Sequence, residues 1–152
     1  MPDGLYERDV LAWSQHQADL LRRLGRGERV NDVDWKNVAE EIEDVGLSEL
    51  HSVESFLNLI MVHLLKLPTS PDNQSGNHWR SEIVGFQRSL KRRFSPSMRQ
   101  RIDVGGLYSD AIDQLRAGDP DGRFPLENPF TLDHLLNDDL KALLSCLPPP
   151  DR

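Results

Sequence analysis

Residues 34–66 read "DWKNVAEEIEDVGLSELHSVESFLNLIMVHLLK", and the fold turns on how this stretch is divided. Apolar side chains recur at Trp35, Val38, Ile42 and Val45, then at Leu50, Val53, Leu57, Ile60 and Leu64. Steps of three and four residues are the helical period. Asp34 is a good N-cap, and Val33 and Val38 on either side of it suit a hydrophobic staple. The middle admits two divisions. A single long helix carries the apolar phase through Gly46 but leaves Glu49 inside the stripe. A kink or break at Gly46, with Ser48 capping a second helix, puts Glu49 in a first turn, where the helix dipole favours a carboxylate. The second division is preferred. It expects a buried stripe of Trp35, Val38, Ile42 and Val45, followed by a new helix from Ser48 to Lys66.

Outward from there, the helical period continues almost everywhere. "DVLAWSQHQADLLRRLG" (9–25) sets Val10, Trp13, Leu20, Leu21 and Leu24 on one side and ends on two arginines and a glycine, which together stop a helix. "PTSPDNQSGN" (68–77) has the composition of a loop. Trp79, Ile83, Phe86, Leu90 and Phe94 mark a helix from His78 to Phe94. "SPS" (95–97) offers a cap and a first-turn proline to a helix through Met98, Ile102, Tyr108, Ile112 and Leu115. Gly105 and Gly106 fall inside that helix, at a cost of about 2 kcal/mol relative to alanines, so a kink or frayed turn is expected. "GDPDGRFPLENP" (118–129) is irregular, its "DPDG" a turn, and Thr131 caps a short helix before the tail. No strand pattern appears. The expected fold is an all-α bundle of four to five main helices with a short C-terminal helix. It forms one domain over residues 1–152, with a tail at 148–152 that frays.

Composition narrows the function classes. A net charge of −7 disfavours general nucleic-acid binding, which needs a basic surface to neutralise phosphates. The single cysteine, Cys146, excludes an intramolecular disulfide and fits a reducing compartment. "MPDGLYERDV" has no signal-peptide pattern, and the apolar run from Leu59 to Leu67 is too short to span a bilayer. A cytoplasmic protein with no membrane partner and no cofactor is the expectation.

"LYERDVLAW", "DWKNVAEEIEDVG", "HLLKLP", "HWRSEI" and "NPFTLDHLL" stand in the order and spacing of a bacterial family, the domain of unknown function numbered twenty-nine, which this chain resembles from Leu5 to Leu136. The resemblance implies an all-helical fold and a bacterial host, and carries no activity with it. Two departures stand out: Leu67-Pro68 follows "HLLK", where the family commonly has an aromatic, and the glycine pair interrupts a normally leucine-rich helix.

Chemistry has few places to reside. If the helices ending at Lys66 and beginning at His78 are antiparallel neighbours, His63 lies level with His78, Trp79 and Glu82. Two imidazoles and a carboxylate are ligands suited to zinc or manganese, and an open coordination position would allow hydrolysis. The plainer reading gives His63 a backbone carbonyl or a carboxylate as a partner, as buried polar groups require. Glu41 and Glu43 flank the apolar stripe and are expected in ion pairs rather than in acid–base catalysis. Glu54 lies level with Arg88 or Lys91, and Lys66 is a further buried-polar candidate. Arg80, Arg88, Lys91, Arg92, Arg93, Arg99 and Arg101 form a basic segment opposed by Glu82 alone. That segment could bind nucleic acid, pair internally, or dock on an acidic surface such as that of a second copy. The three tryptophans read as core or edge-of-core anchors. His16, His51 and His134 read as solvent-facing, and Cys146 has no recognisable catalytic setting. These readings favour a non-enzymatic protein-interaction module, its partner another protein or itself. The first alternative is a metal-dependent hydrolase or nuclease, and the second is nucleic-acid binding through residues 80–101.

Overall fold

The computed structural model describes residues 4–149 and contains no strand among them. Its helices are α1 (Leu5–Arg8), α2 (Val10–Gly25), α3 (Trp35–Lys66), α4 (Asn73–Arg93), α5 (Val104–Gly118), α6 (Leu132–Asn137) and α7 (Leu140–Ser145), with single 3₁₀ turns at Leu67–Thr69 and Pro96–Met98. The chain divides into two compact units, Met1–Ser48 and Glu49–Arg152. Of the tail expected to fray, 148–152, Pro148 and Pro149 lie outside any helix and are exposed, and residues 150–152 lie outside the described residues.

In the first unit, Asp9 caps α2 by accepting the Ala12 N–H at 3.0 Å. Trp13, Leu20 and Val38 are buried, and Gln17 is buried among them. The start of α3 is bolted to α2 through Asp34. Its carboxylate accepts the Trp13 indole N–H at 3.0 Å and the Asn37 amide at 2.8 Å, while its own backbone N–H donates to Gln17 Oε1 at 2.8 Å. Hydrogen bonding to Asn37 holds the Asp34 carboxyl below the usual carboxylate range. Two expectations are corrected here. Val10 is exposed, and the buried positions of α2 are Trp13, Gln17 and Leu20. Of the stripe expected to be buried, only Val38 is. Trp35, Ile42 and Val45 are 63%, 67% and 69% exposed, so Trp35 is no core anchor.

α3 is one uninterrupted helix from Trp35 to Lys66, not two. Ser48 therefore caps nothing. Glu49, the residue that argued for a break, is accommodated at the edge of the second unit by a 3.1 Å ion pair with Arg93. Gly46 lies in open space and its propensity cost of about 1 kcal/mol is too small to break a helix anchored at both ends.

The second unit holds the main core. Val53, Leu57, Ile60 and Leu64 of α3 pack with Ile83 and Leu90 of α4, Ala111 and Ile112 of α5, and Leu135 and Leu143 of α6 and α7. α4 starts at Asn73, five residues before the expected position, because the Asp72 carboxylate accepts the Ser75 N–H at 2.7 Å and turns the polar segment helical. α5 starts at Val104, so Met98 and Ile102 precede it. Its glycine pair occupies the first turn and not the interior. Asp103 caps that turn by accepting the Gly106 N–H at 3.0 Å, and a Cβ on Gly106 would sit 2.6 Å from the Asp103 carboxylate. His134 is not solvent-facing. It is half-buried and completes a capping box, its Nδ1 accepting the Thr131 N–H while Thr131 Oγ1 accepts the His134 N–H.

Candidate functional site

His63 and the first turns of α4 do meet. The imidazole is 6% exposed. Its Nδ1 is 2.8 Å from the Leu59 carbonyl and its Nε2 makes a short hydrogen bond to Glu82 Oε2. A carbonyl only accepts, so Nδ1 donates to it. The second Glu82 oxygen faces His78 Nε2 at 3.2 Å, and His78 is exposed. Phe86 stands edge-on to the His63 ring at 5.2 Å between centroids.

A carboxylate therefore links an exposed imidazole to a buried one. The line ends at the Leu59 carbonyl, which neither receives nor passes on a proton. The two imidazoles occupy different oxygens of Glu82 rather than surrounding one point. Among the described residues, three donor atoms all within 4.8 Å of one another occur elsewhere, at His134, Asp138 and Cys146. The His63–Glu82–His78 arrangement reads best as a clasp joining the end of α3 to α4, with both nitrogens of His63 and both oxygens of Glu82 engaged. Lys66 completes it by placing its ammonium 4.6 Å from the Trp79 ring centre, a cation–π contact.

The other candidates are scattered. Glu41 accepts the Tyr6 hydroxyl at 2.5 Å. That hydrogen bond, aided by burial and by the charges of Glu41, Glu40 and Asp44, pushes Tyr6 up to about 12. Glu43 and Arg88 are exposed. Among the described residues Arg93 of α4 pairs with Glu49 of α3, and no ion pair joins Arg88 to Glu54. Glu54 lines an open cleft of about 490 Å³ with His51, Asn58 and Asp110, between α3 and α5. Of the basic segment, Arg93 pairs with Glu49, Arg99 with Asp133 at 2.9 Å, and Arg80 donates to the Asn77 side chain. Arg88, Lys91, Arg92 and Arg101 are exposed.

The feature that sequence reasoning missed is the exposed apolar face of α3. Trp35, Ile42 and Val45 share it with the small exposed residues Ala39 and Gly46. Periodicity identifies such a stripe but does not say whether anything in the same chain covers it. No helix among the described residues is long and apolar enough to cross a membrane.

The chain is similar to a solved α-helical protein of unknown function from Rhodospirillum rubrum, with 34% sequence identity, a TM-score of 0.68, and coverage of 95% of this chain and 98% of that one. No curated protein matches. The family model described as "Domain of unknown function DUF29" matches residues 5–141. The chain belongs to the DUF29 family.

Proposed function

We propose that this chain is a bacterial cytoplasmic docking module without enzymatic activity, and that the partner of its α3 face is a second copy of itself. The observation that carries the reading is the exposed stripe of Trp35, Ile42 and Val45. An apolar helical face anchored by a tryptophan and bordered by charge is how helices dock into partners. Its borders are acidic: Glu41 flanks one side and Glu43 the other, with Glu40 and Asp44 behind and only Lys36 against them. The occupant must therefore be basic and partly apolar. The outward face of α4 offers that chemistry within the same chain, since Val84 is 39% exposed and is followed at helical spacing by Arg88 and Lys91, both exposed. The proposal is a closed pair, in which each copy lends its α4 face to the α3 face of the other about a two-fold axis. The single reduced-type cysteine supports the cytoplasmic part of the reading.

Light scattering across a concentration series tests it. A dimer is expected, dissociated by Ile42→Asp and, independently, by Arg88→Glu/Lys91→Glu, with helicity unchanged in each. Mixing the Arg88→Glu/Lys91→Glu protein with a Glu41→Lys/Glu43→Lys protein should restore a mixed species. A wild-type protein that stays monomeric at about 1 mM, where any association is weaker than about 4 kcal/mol, would sink the proposal.

A further inference from the structure

The geometry points to a metal site at the C-terminal end of the second unit, taking a thiophilic divalent cation of the zinc class on Cys146 Sγ, the His134 imidazole and the Asp138 carboxylate. His134 comes from α6, Asp138 from the link between α6 and α7, and Cys146 from the end of α7. One donor atom from each lies within 4.8 Å of the other two, and Cys146 Sγ is 3.8 Å from His134 Nδ1. With metal–ligand bonds of about 2.0–2.3 Å, tetrahedral ligand atoms stand roughly 3.3–3.7 Å apart. Closing the site thus takes side-chain rotations of about an ångström and no movement of the helices.

The supports of these ligands are already in place. Gln87 of α4 donates its side-chain amide to the carbonyls of Leu135 (3.0 Å) and Asp138 (2.7 Å), which fixes the end of α6 and the backbone that carries the carboxylate. The Asp138 N–H donates to the His134 carbonyl at 3.0 Å. Because the Thr131 N–H donates to His134 Nδ1 at 3.2 Å, that nitrogen holds the lone pair and Nε2 the proton. Nδ1 is also the nitrogen that faces the thiol. A metal takes that lone pair over and releases the Thr131 N–H to solvent, where Thr131 is exposed. The Gln87 bonds to the Leu135 and Asp138 carbonyls do not involve a ligand atom, and outer-shell hydrogen bonds of that kind hold the segment that carries the ligands.

The donor set selects the ion. Thiolate and imidazole prefer zinc over magnesium or calcium, and three protein ligands leave a fourth position open to water. A cysteine beside a histidine also suggests a nucleophile, but reactive thiolates sit in electropositive surroundings. Here the Asp138 carboxylate lies beside the thiol, an electronegative neighbour rather than an electropositive one. The carboxylate that hinders a nucleophile is an asset to a cation. His134 and Asp138 fall within the residues matched by the family model and Cys146 lies beyond them, the match ending at 141. The site is independent of the docking face on α3.

The test is a cobalt(II) titration of the reduced full-length protein, reading thiolate-to-cobalt charge-transfer absorption together with thermal stability. One equivalent is expected to bind, with the charge-transfer band absent in Cys146→Ser. Affinity should fall at least about tenfold in Asp138→Asn and in His134→Gln, with helicity unchanged. Glutamine at position 134 retains an acceptor for the capping box, so it separates loss of a ligand from loss of the helix start. The proposal is overturned by any of three results: no charge-transfer band at saturating cobalt, affinity untouched by both Asp138→Asn and His134→Gln, or binding that is lost in Glu82→Gln while Cys146→Ser retains it.

Discussion

The Tyr6 hydroxyl lies 2.5 Å from Glu41, and its ring stands edge-on to Trp13 at 4.8 Å. One side chain thereby ties α1 to both α2 and α3. Because Glu41 accepts its proton, and because Glu40 and Asp44 oppose a phenolate, Tyr6 is pushed from 10.0 to about 12. A raised value means the folded state holds the proton longer than the unfolded chain does. The contribution of Tyr6 to stability is therefore fully present below pH 10 and is lost as the pH rises from there through about 12. In a Tyr108→Phe background, spectrophotometric titration should follow Tyr6 alone, and Glu41→Gln should bring it back toward 10. A Tyr6 that titrates near 10 in the parent protein would rule out the contact. His63 and Glu82 invite a second measurement. Glu82→Gln alters the hydrogen-bond partner of a buried imidazole and is expected to cost about 1–2 kcal/mol, reduced by the partial exposure of Glu82. Chemical denaturation reads that cost, and no change would dismiss the clasp. That His63 would meet Glu82 could be read from helical spacing and a short connection. That Gln17 would be buried and His134 would cap α6 could not, because a polar residue on an inward face looks like a solvated one until its partner is known.

At the scale of the element, glycines mark where local sequence rules mislead. Gly46 argued for a break, yet α3 runs through it, since Asp34 fixes the start of the helix and the core from Leu50 onward fixes the rest. A Cβ at Gly46 meets nothing, so Gly46→Ala should stabilise the protein by about 1 kcal/mol. A loss of stability at this position would mean that the backbone there is not helical. Gly105 and Gly106 are adjacent and should behave oppositely. A Cβ at Gly105 meets the Asp103 carboxylate at an ordinary 3.5 Å, but one at Gly106 would strike it at 2.6 Å and displace the cap. Gly106→Ala is expected to be about 1 kcal/mol less stable than Gly105→Ala, the worth of a typical N-cap. The difference should vanish in an Asp103→Ala background, which thermal melts of the double variants would show. The starts of α4 and α5 were hidden in different ways: Asp72 is followed by polar residues and a glycine, so no apolar periodicity announces α4, whereas Met98 and Ile102 lead an apolar phase into α5 from outside it.

At the scale of the whole molecule, the two units differ in how much core each possesses. The second buries a continuous cluster drawn from five helices, whereas the first, among its described residues, buries Trp13, Leu20, Val38 and Gln17. A unit of 48 residues with so small a core sits below the size at which hydrophobic burial alone gives a comfortable margin. Its amides should therefore exchange by local opening well before those of the second unit. The all-α class was legible because period alone decides it. Which apolar face remains bare was not, because that depends on what packs against what. The bare face on α3 belongs to the weaker unit, and this links stability to the proposed pairing. A second copy that binds only the folded unit raises its protection by mass action, by about 2.7 kcal/mol, or roughly a hundredfold in exchange rate, at a concentration one hundred times Kd. Hydrogen exchange measured at low and high protein concentration should thus slow selectively in α1, α2 and the first half of α3, and Ile42→Asp should abolish the effect. Exchange in those helices that is as slow as in the second unit at every concentration would refute the core-size argument. Exchange that is fast and independent of concentration would leave that argument intact and remove the second copy as the partner of Trp35, Ile42 and Val45.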